Sequence, residues 1–154
     1  MVDFGFQKLE IYQLAKELAL ENYRNTKTFP EKEKYALIQQ MNRAAISIPS
    51  NISEGYARDS VKDKCHFINM AYGSMMELVC QYEISRDLEY IDEEIFNKFS
   101  KDAYKLAIKL SNFRTYLKGK PKNWAVKNNT FQLLLLMKSN FPITYQVLSE
   151  VKNE

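Results

Sequence analysis

The chain has 154 residues, 45% of them hydrophobic and 27% charged, with four glycines and four prolines; this length suits one domain with one core, and so few breakers favour helices over flexible linkers. Its net charge of +3 conceals unlike parts: residues 1–97 carry 11 Lys/Arg against 16 Asp/Glu, or −5, and residues 98–127 carry nine against one, or +8. The opening MVDFGFQKLEIYQL lacks the apolar run and small-residue cleavage site of a secretion signal, and the longest apolar run, Leu133 to Met137, is far short of the ~20 residues needed to span a bilayer, so a cytoplasmic protein without membrane contact is expected.

Leu9, Tyr12, Leu18, Ala19 and Tyr23 recur at three- and four-residue spacing, which predicts a first helix from Phe6 to Asn25. Thr28-Phe29-Pro30 interrupts it. Pro30 followed by Glu31 and Glu33 predicts the start of a second helix, because proline presets φ and carboxylates meet the positive end of the macrodipole. In this helix Leu37, Met41, Ala44, Ile48 and Ile52 form an apolar stripe, and Gln40, Arg43, Ser47, Asn51, Glu54 and Arg58 form a polar one beside it. Pro49 removes the donor that would bond the Ala45 carbonyl, so a bend is expected there, with Ser47 or Ser50 satisfying freed groups. Gly55 loosens the helix end.

Ser60 and Asp63 have capping-box spacing and open a third helix. Its apolar stripe is Phe67, Ala71, Met75, Leu78, Tyr82 and Leu88, and Gly73 with Ser74 leaves room for another backbone to approach. Asp92 caps the fourth helix, flanked by Ile91 and Phe96 as a hydrophobic staple. There Phe96, Phe99, Ala103, Leu106, Leu110, Phe113 and Leu117 repeat at alternating spacings of three and four, the pattern of shallow-angle bundle packing. The fold expected is all-α: an antiparallel up-down-up-down four-helix bundle over residues 6–118, with a C-terminal extension at 119–154. The extension holds two short helices, Phe131 to Lys138 and Pro142 to Val151.

The run RAAISIPSNISEGYAR, preceded by FPEKEKYALIQQMN and followed by FINMAYGSMMEL, resembles the four-helix-bundle family encoded in intervening sequences of bacterial 23S ribosomal RNA genes. It is similar, more distantly, to the accessory proteins of diversity-generating retroelements. The resemblance covers residues 6 to 118 and implies a closed ring of five four-helix subunits, a homopentamer, with no established catalytic activity. The extension departs from the family pattern, in which chains stop soon after the fourth helix.

Two constellations carry the functional reading. Arg43, Ser47, Asn51 and Glu54 face Glu77 and Gln81 of the third helix; they read as a buried, hydrogen-bonded ion network that fixes register or a subunit interface, with an acid–base cluster as the alternative. Lys98, Lys101, Lys105 and Lys109 form a basic stripe whose nearby acid is Asp102, continued by Arg114 and Lys118 and, beyond, Lys120, Lys122 and Lys127. A solvated face explains such a stripe, and so does phosphate contact with RNA or DNA with little base readout; the family's genetic setting favours the latter.

The single histidine, His66, lies beside Cys65 with side chains about 100° apart, too divergent for a metal site. Cys65 and Cys80 are on the order of 22 Å apart along one helix and are expected as free thiols. With no Ser-His-Asp set, phosphate loop or metalloprotease motif, no enzyme, cofactor or metal is expected. The leading expectation is a non-enzymatic basic scaffold for nucleic acid; the rival is a protein-interaction module, such as an accessory subunit of a nucleic-acid enzyme.

Overall fold

The computed structural model describes residues 4–119, so the extension helices expected at 131–138 and 142–151 lie outside the described residues. The chain divides into two compact units, residues 1–110 and 111–154. Four long helices run through the described residues: α1 (Glu10–Asn25), α2 (Leu37–Tyr56), α3 (Val61–Asp87) and α4 (Glu93–Leu117). No strand occurs among them. The all-α, four-helix expectation is met.

Helix starts follow the local chemistry with two displacements. Gly5–Lys8 forms a separate 3-10 turn and Leu9 is extended (φ −72°, ψ 126°), so α1 begins at Glu10 rather than Phe6. Pro30 heads only the 3-10 turn Glu31–Glu33; the chain kinks at Ala36 (φ −116°, ψ −106°) before α2 begins at Leu37. The carboxylate of Glu33 then caps α2 by accepting from the Leu37 N–H at 3.4 Å, and also accepts from the Tyr90 hydroxyl at 3.0 Å. Ser60 caps α3 as expected: its Oγ accepts from the Asp63 N–H at 3.0 Å and donates to the Asp63 carboxylate at 2.7 Å. Asp92 caps α4 through the Ile95 N–H at 2.8 Å.

Within the first unit, side-chain contacts join each helix to the next. Asn22 of α1 meets Asn42 of α2, and Ser74 and Ser85 of α3 meet Ser47 and Met41 of α2. Tyr82 stacks on Phe99 of α4 with ring centroids 3.5 Å apart, and the Arg86 guanidinium lies over Phe96 at 4.4 Å. The core is Ile11, Ala15 and Leu18 of α1, Met41, Ala44, Ile48 and Ile52 of α2, Ile68, Ala71, Met75, Leu78 and Tyr82 of α3, and Phe96, Phe99, Ala103 and Leu106 of α4. Eight side chains expected in the apolar stripes are not fully buried: Tyr23 and Leu88 are exposed, and Leu9, Tyr12, Leu37, Phe67, Phe113 and Leu117 are half-buried.

Helix α2 continues through Pro49 to Tyr56. Ser50 donates to the Ile46 carbonyl at 2.8 Å, one residue along from the carbonyl that Pro49 leaves, and Ser53 donates to the Ser50 carbonyl at 2.8 Å. Gly55 has a different task from loosening the end. It is buried, and a Cβ there would stand 2.9 Å from Phe67 Cβ and 3.4 Å from the Lys64 carbonyl, so the missing side chain sets how closely α2 and α3 approach.

In the second unit, Thr115 donates to the Ser111 carbonyl at 3.0 Å and the Phe113 and Tyr116 rings stack at 6.4 Å. Gly119 follows the helix in the left-handed region (φ +66°), with its N–H on the Tyr116 carbonyl at 3.0 Å, the usual glycine stop.

Candidate functional site

Among the described residues no ion pair joins α2 to α3. Arg43, Glu54 and Glu77 are all exposed. Glu54 forms an ion pair with Arg58 one turn on, and Glu77 accepts from Gln81 Nε2 at 3.1 Å. What does bridge the two helices there is uncharged: Ser74 Oγ donates to Ser47 Oγ at 3.0 Å, while within α2 Asn51 Nδ2 donates to Ser47 Oγ at 3.0 Å and to the Ser47 carbonyl at 2.8 Å. Burial explains the division. Asn51 and Gln81 are buried and neutral, so they cost far less to desolvate than the charges held at the rim.

Arg43 and Glu77 do share a groove. It measures about 670 Å³ and is open to solvent, lined on α2 by Gln39, Gln40, Asn42 and Arg43, with Ser74 and Glu77 on α3, Tyr23 on α1 and Lys34 and Tyr35 before α2. Tyr35 is 81% exposed, and Lys34 lies over one face of its ring at 5.6 Å while pairing with Glu31 at 3.0 Å. The reading from periodicity missed Tyr35, because it lies in the kink before α2, outside any helical pattern.

Helix α3 has a second apolar side. Met70, Met76, Ile84 and Leu88 are exposed, and His66, Met70, Gly73, Glu77, Cys80 and Ile84 recur at spacings of four and three along the outer face. Among the described residues nothing comes within 4 Å of where a Gly73 Cβ would be. The close approach expected at Gly73 and Ser74 therefore divides: Ser74 meets α2, whereas the gap at Gly73 faces outward.

The lysine stripe is partly neutralised by α1, contrary to the expectation that Asp102 was its nearby acid. Lys98 pairs with Glu21, and Lys109 pairs with Glu10 at 2.7 Å. Lys101 and Lys105 are exposed, and neither forms an ion pair among the described residues. In the second unit Arg114 is half-buried and Lys118 is exposed.

Neither Cys65, which is buried, nor Cys80, which is exposed, is in a disulfide, and among the described residues no three of His, Cys, Asp and Glu converge as a metal site would require. His66 packs edge-on against Phe67 with ring centroids 5.6 Å apart. Burial pushes the Tyr82 phenol well above its ordinary range, although Asn25 Nδ2 donates to its oxygen at 3.1 Å, and it pushes the Tyr104 phenol up as well. Both act as neutral groups at neutral pH. Among the described residues no helix is long and apolar enough to cross a membrane.

No curated protein matches the chain. A solved structure that does is the crystal structure at 1.70 Å of a protein of unknown function from the S23 ribosomal protein family of Bacteroides thetaiotaomicron VPI-5482. It shares 22% sequence identity with a TM-score of 0.63, over 68% of this chain and 97% of that one, and so supports the fold. The model of the 23S rRNA-intervening sequence protein family matches residues 7–112, from the first turn through all but the end of α4, and the chain belongs to that family.

Proposed function

We propose that this protein is a non-enzymatic helical scaffold that assembles into a symmetric homo-oligomer, a pentamer on the strength of the family resemblance, and offers a basic surface to RNA or DNA. The observation that carries the assembly is the outer face of α3, where Met70, Met76, Ile84 and Leu88 stay exposed around an open glycine. A second helix laid along that face would meet Met70, Gly73, Glu77, Cys80 and Ile84 at the alternating spacing of a helix–helix seam. A ring closes through heterologous contacts, so each copy needs a second, different surface as well.

The nucleic-acid part rests on Lys101 and Lys105, which project from α4 between the two lysines that α1 neutralises. Repeated around an oligomer, these cations would add avidity for a polyanion without reading its bases. Structured RNA and duplex DNA titrated across a salt series, with the mass in solution measured on the same sample, test both parts. Affinity should fall linearly on a log-log plot, and Lys101→Gln with Lys105→Gln should flatten the slope by roughly one to two per bound copy. An unchanged slope in an intact oligomer would remove the nucleic-acid reading.

A specific observation favours a second reading, a protein-interaction module such as an accessory subunit of a nucleic-acid enzyme. Half of the four-lysine stripe is already paired with Glu10 and Glu21, which lowers the field available to phosphate. On that reading the outer face of α3 receives a foreign helix, and a purified chain that remains a monomer and binds no nucleic acid would favour it.

A further inference from the structure

On the reading above, the lysines of α4 would meet phosphates without distinguishing an open strand from a duplex, because they bring no aromatic surface. The groove over α2 brings one. Tyr35, before α2, is 81% exposed, and Tyr23, on α1, is also exposed. One face of the Tyr35 ring carries Lys34 at 5.6 Å, which leaves the opposite face for a planar partner. Arg43 stands exposed in the same groove and forms no ion pair among the described residues. Between them lie the amides of Gln39, Gln40 and Asn42, groups that pair with base edges.

We propose that this groove is a binding site for a single-stranded nucleic acid, with an unpaired base stacked on Tyr35 and its flanking phosphates held by Lys34 and Arg43. The proposal rests on the nucleic-acid reading above and deepens it by naming the form of the strand. Stacking on an aromatic face with cations alongside is how sequence-tolerant single-strand sites gain affinity, and a base in a duplex cannot reach such a ring without leaving its stack. Two acids bound the arrangement: Glu31 pairs with Lys34, and Glu77 stands at the α3 wall. Phosphate is therefore placed toward Lys34 and Arg43, and the base edge toward the amides and Glu77, a carboxylate that accepts from exocyclic amino groups.

The test uses the full chain with a labelled RNA strand of mixed sequence, alone and annealed to its complement. Tyr35→Ala should weaken single-strand binding by roughly ten-fold or more while leaving duplex binding and thermal stability unchanged, and Tyr35→Phe should restore it. Unchanged single-strand affinity in Tyr35→Ala, with binding still lowered by Lys101→Gln and Lys105→Gln, would overturn the groove and leave the basic scaffold standing. An equal loss for strand and duplex would also overturn it. If the native chain binds neither at low salt, both readings fall.

Discussion

The inner side of α3 sets Ile68, Ala71, Met75, Leu78 and Tyr82 into the core, whereas the outer side leaves Met70, Met76, Ile84 and Leu88 in solvent. The residue types are nearly the same on both sides. The difference lies in what covers them: α2 and α4 close over the inner side, and among the described residues nothing meets the outer one at Gly73. A helix whose apolar content exceeds what its own core uses has a stripe to spend elsewhere, and single-chain stability should not depend on it.

The sharpest way to test that contrast is to cut into the inner side. Leu78 is fully buried among α2 and α3, so Leu78→Ala should lower stability by about 2 to 5 kcal/mol, the transfer and cavity cost of a core leucine. Chemical denaturation should show the midpoint falling with little change in slope. A loss below about 1 kcal/mol would mean that the α3 core collapses around the cavity, and the distinction between the two sides would weaken.

A smaller effect is expected at the polar end of the same side. Tyr82 stacks on Phe99 and accepts from Asn25, and burial holds its phenol pKa above the ordinary value of 10.0. The unfolded phenol therefore loses its proton first as pH rises. Stability from this group is fully present below about pH 10 and declines as pH climbs from there toward the folded pKa. Tyr82→Phe should cost about 1 kcal/mol near neutral pH, from the lost hydrogen bond, and should reduce the loss of stability above pH 10. Denaturation midpoints across the alkaline range check both, and an unchanged alkaline decline in the variant would assign it to the other tyrosines.

Much of this fold could be read from spacing and caps. Ser60 and Asp92 stand where capping chemistry placed them, and the stripe of Phe96, Phe99, Ala103 and Leu106 faces inward as its repeat required. Buried polar groups were harder to see. Asn22 is completely buried and donates to Asn42 Oδ1 at 2.8 Å, yet it follows Leu18 and Ala15 on the same helical stripe. Its position on the stripe is legible, but its polarity points to the surface, whereas the spacing selects Tyr23 next to it, which is exposed. The ion network failed for a related reason. Helical phase put Arg43, Glu54 and Glu77 on facing stripes, but phase says nothing about depth, and each charge stays at the rim where water solvates it. The pairs Glu21–Lys98 and Glu10–Lys109 were invisible because they join helices more than 70 residues apart. Tyr35 was missed because a kink has no period.

The smallest effect on the chain itself belongs to the outer side of α3, and there it carries the most information. Ile84 is exposed and one turn from Cys80 and Leu88, so Ile84→Lys removes apolar surface that water already touches. The stability of an isolated copy should change by no more than about 0.5 kcal/mol. Lysine toward the C-terminal end of a helix is also compatible with the macrodipole, which keeps the substitution mild for folding. An interface core, by contrast, tolerates a buried ammonium poorly, since the charge must be desolvated without a partner. Sedimentation of Ile84→Lys beside the native chain separates the two demands. A native-like melting curve with a fall in mass would place the contact between copies on α3; unchanged mass would show that the exposed stripe takes no part in assembly, and the second apolar side of α3 would belong to a different partner.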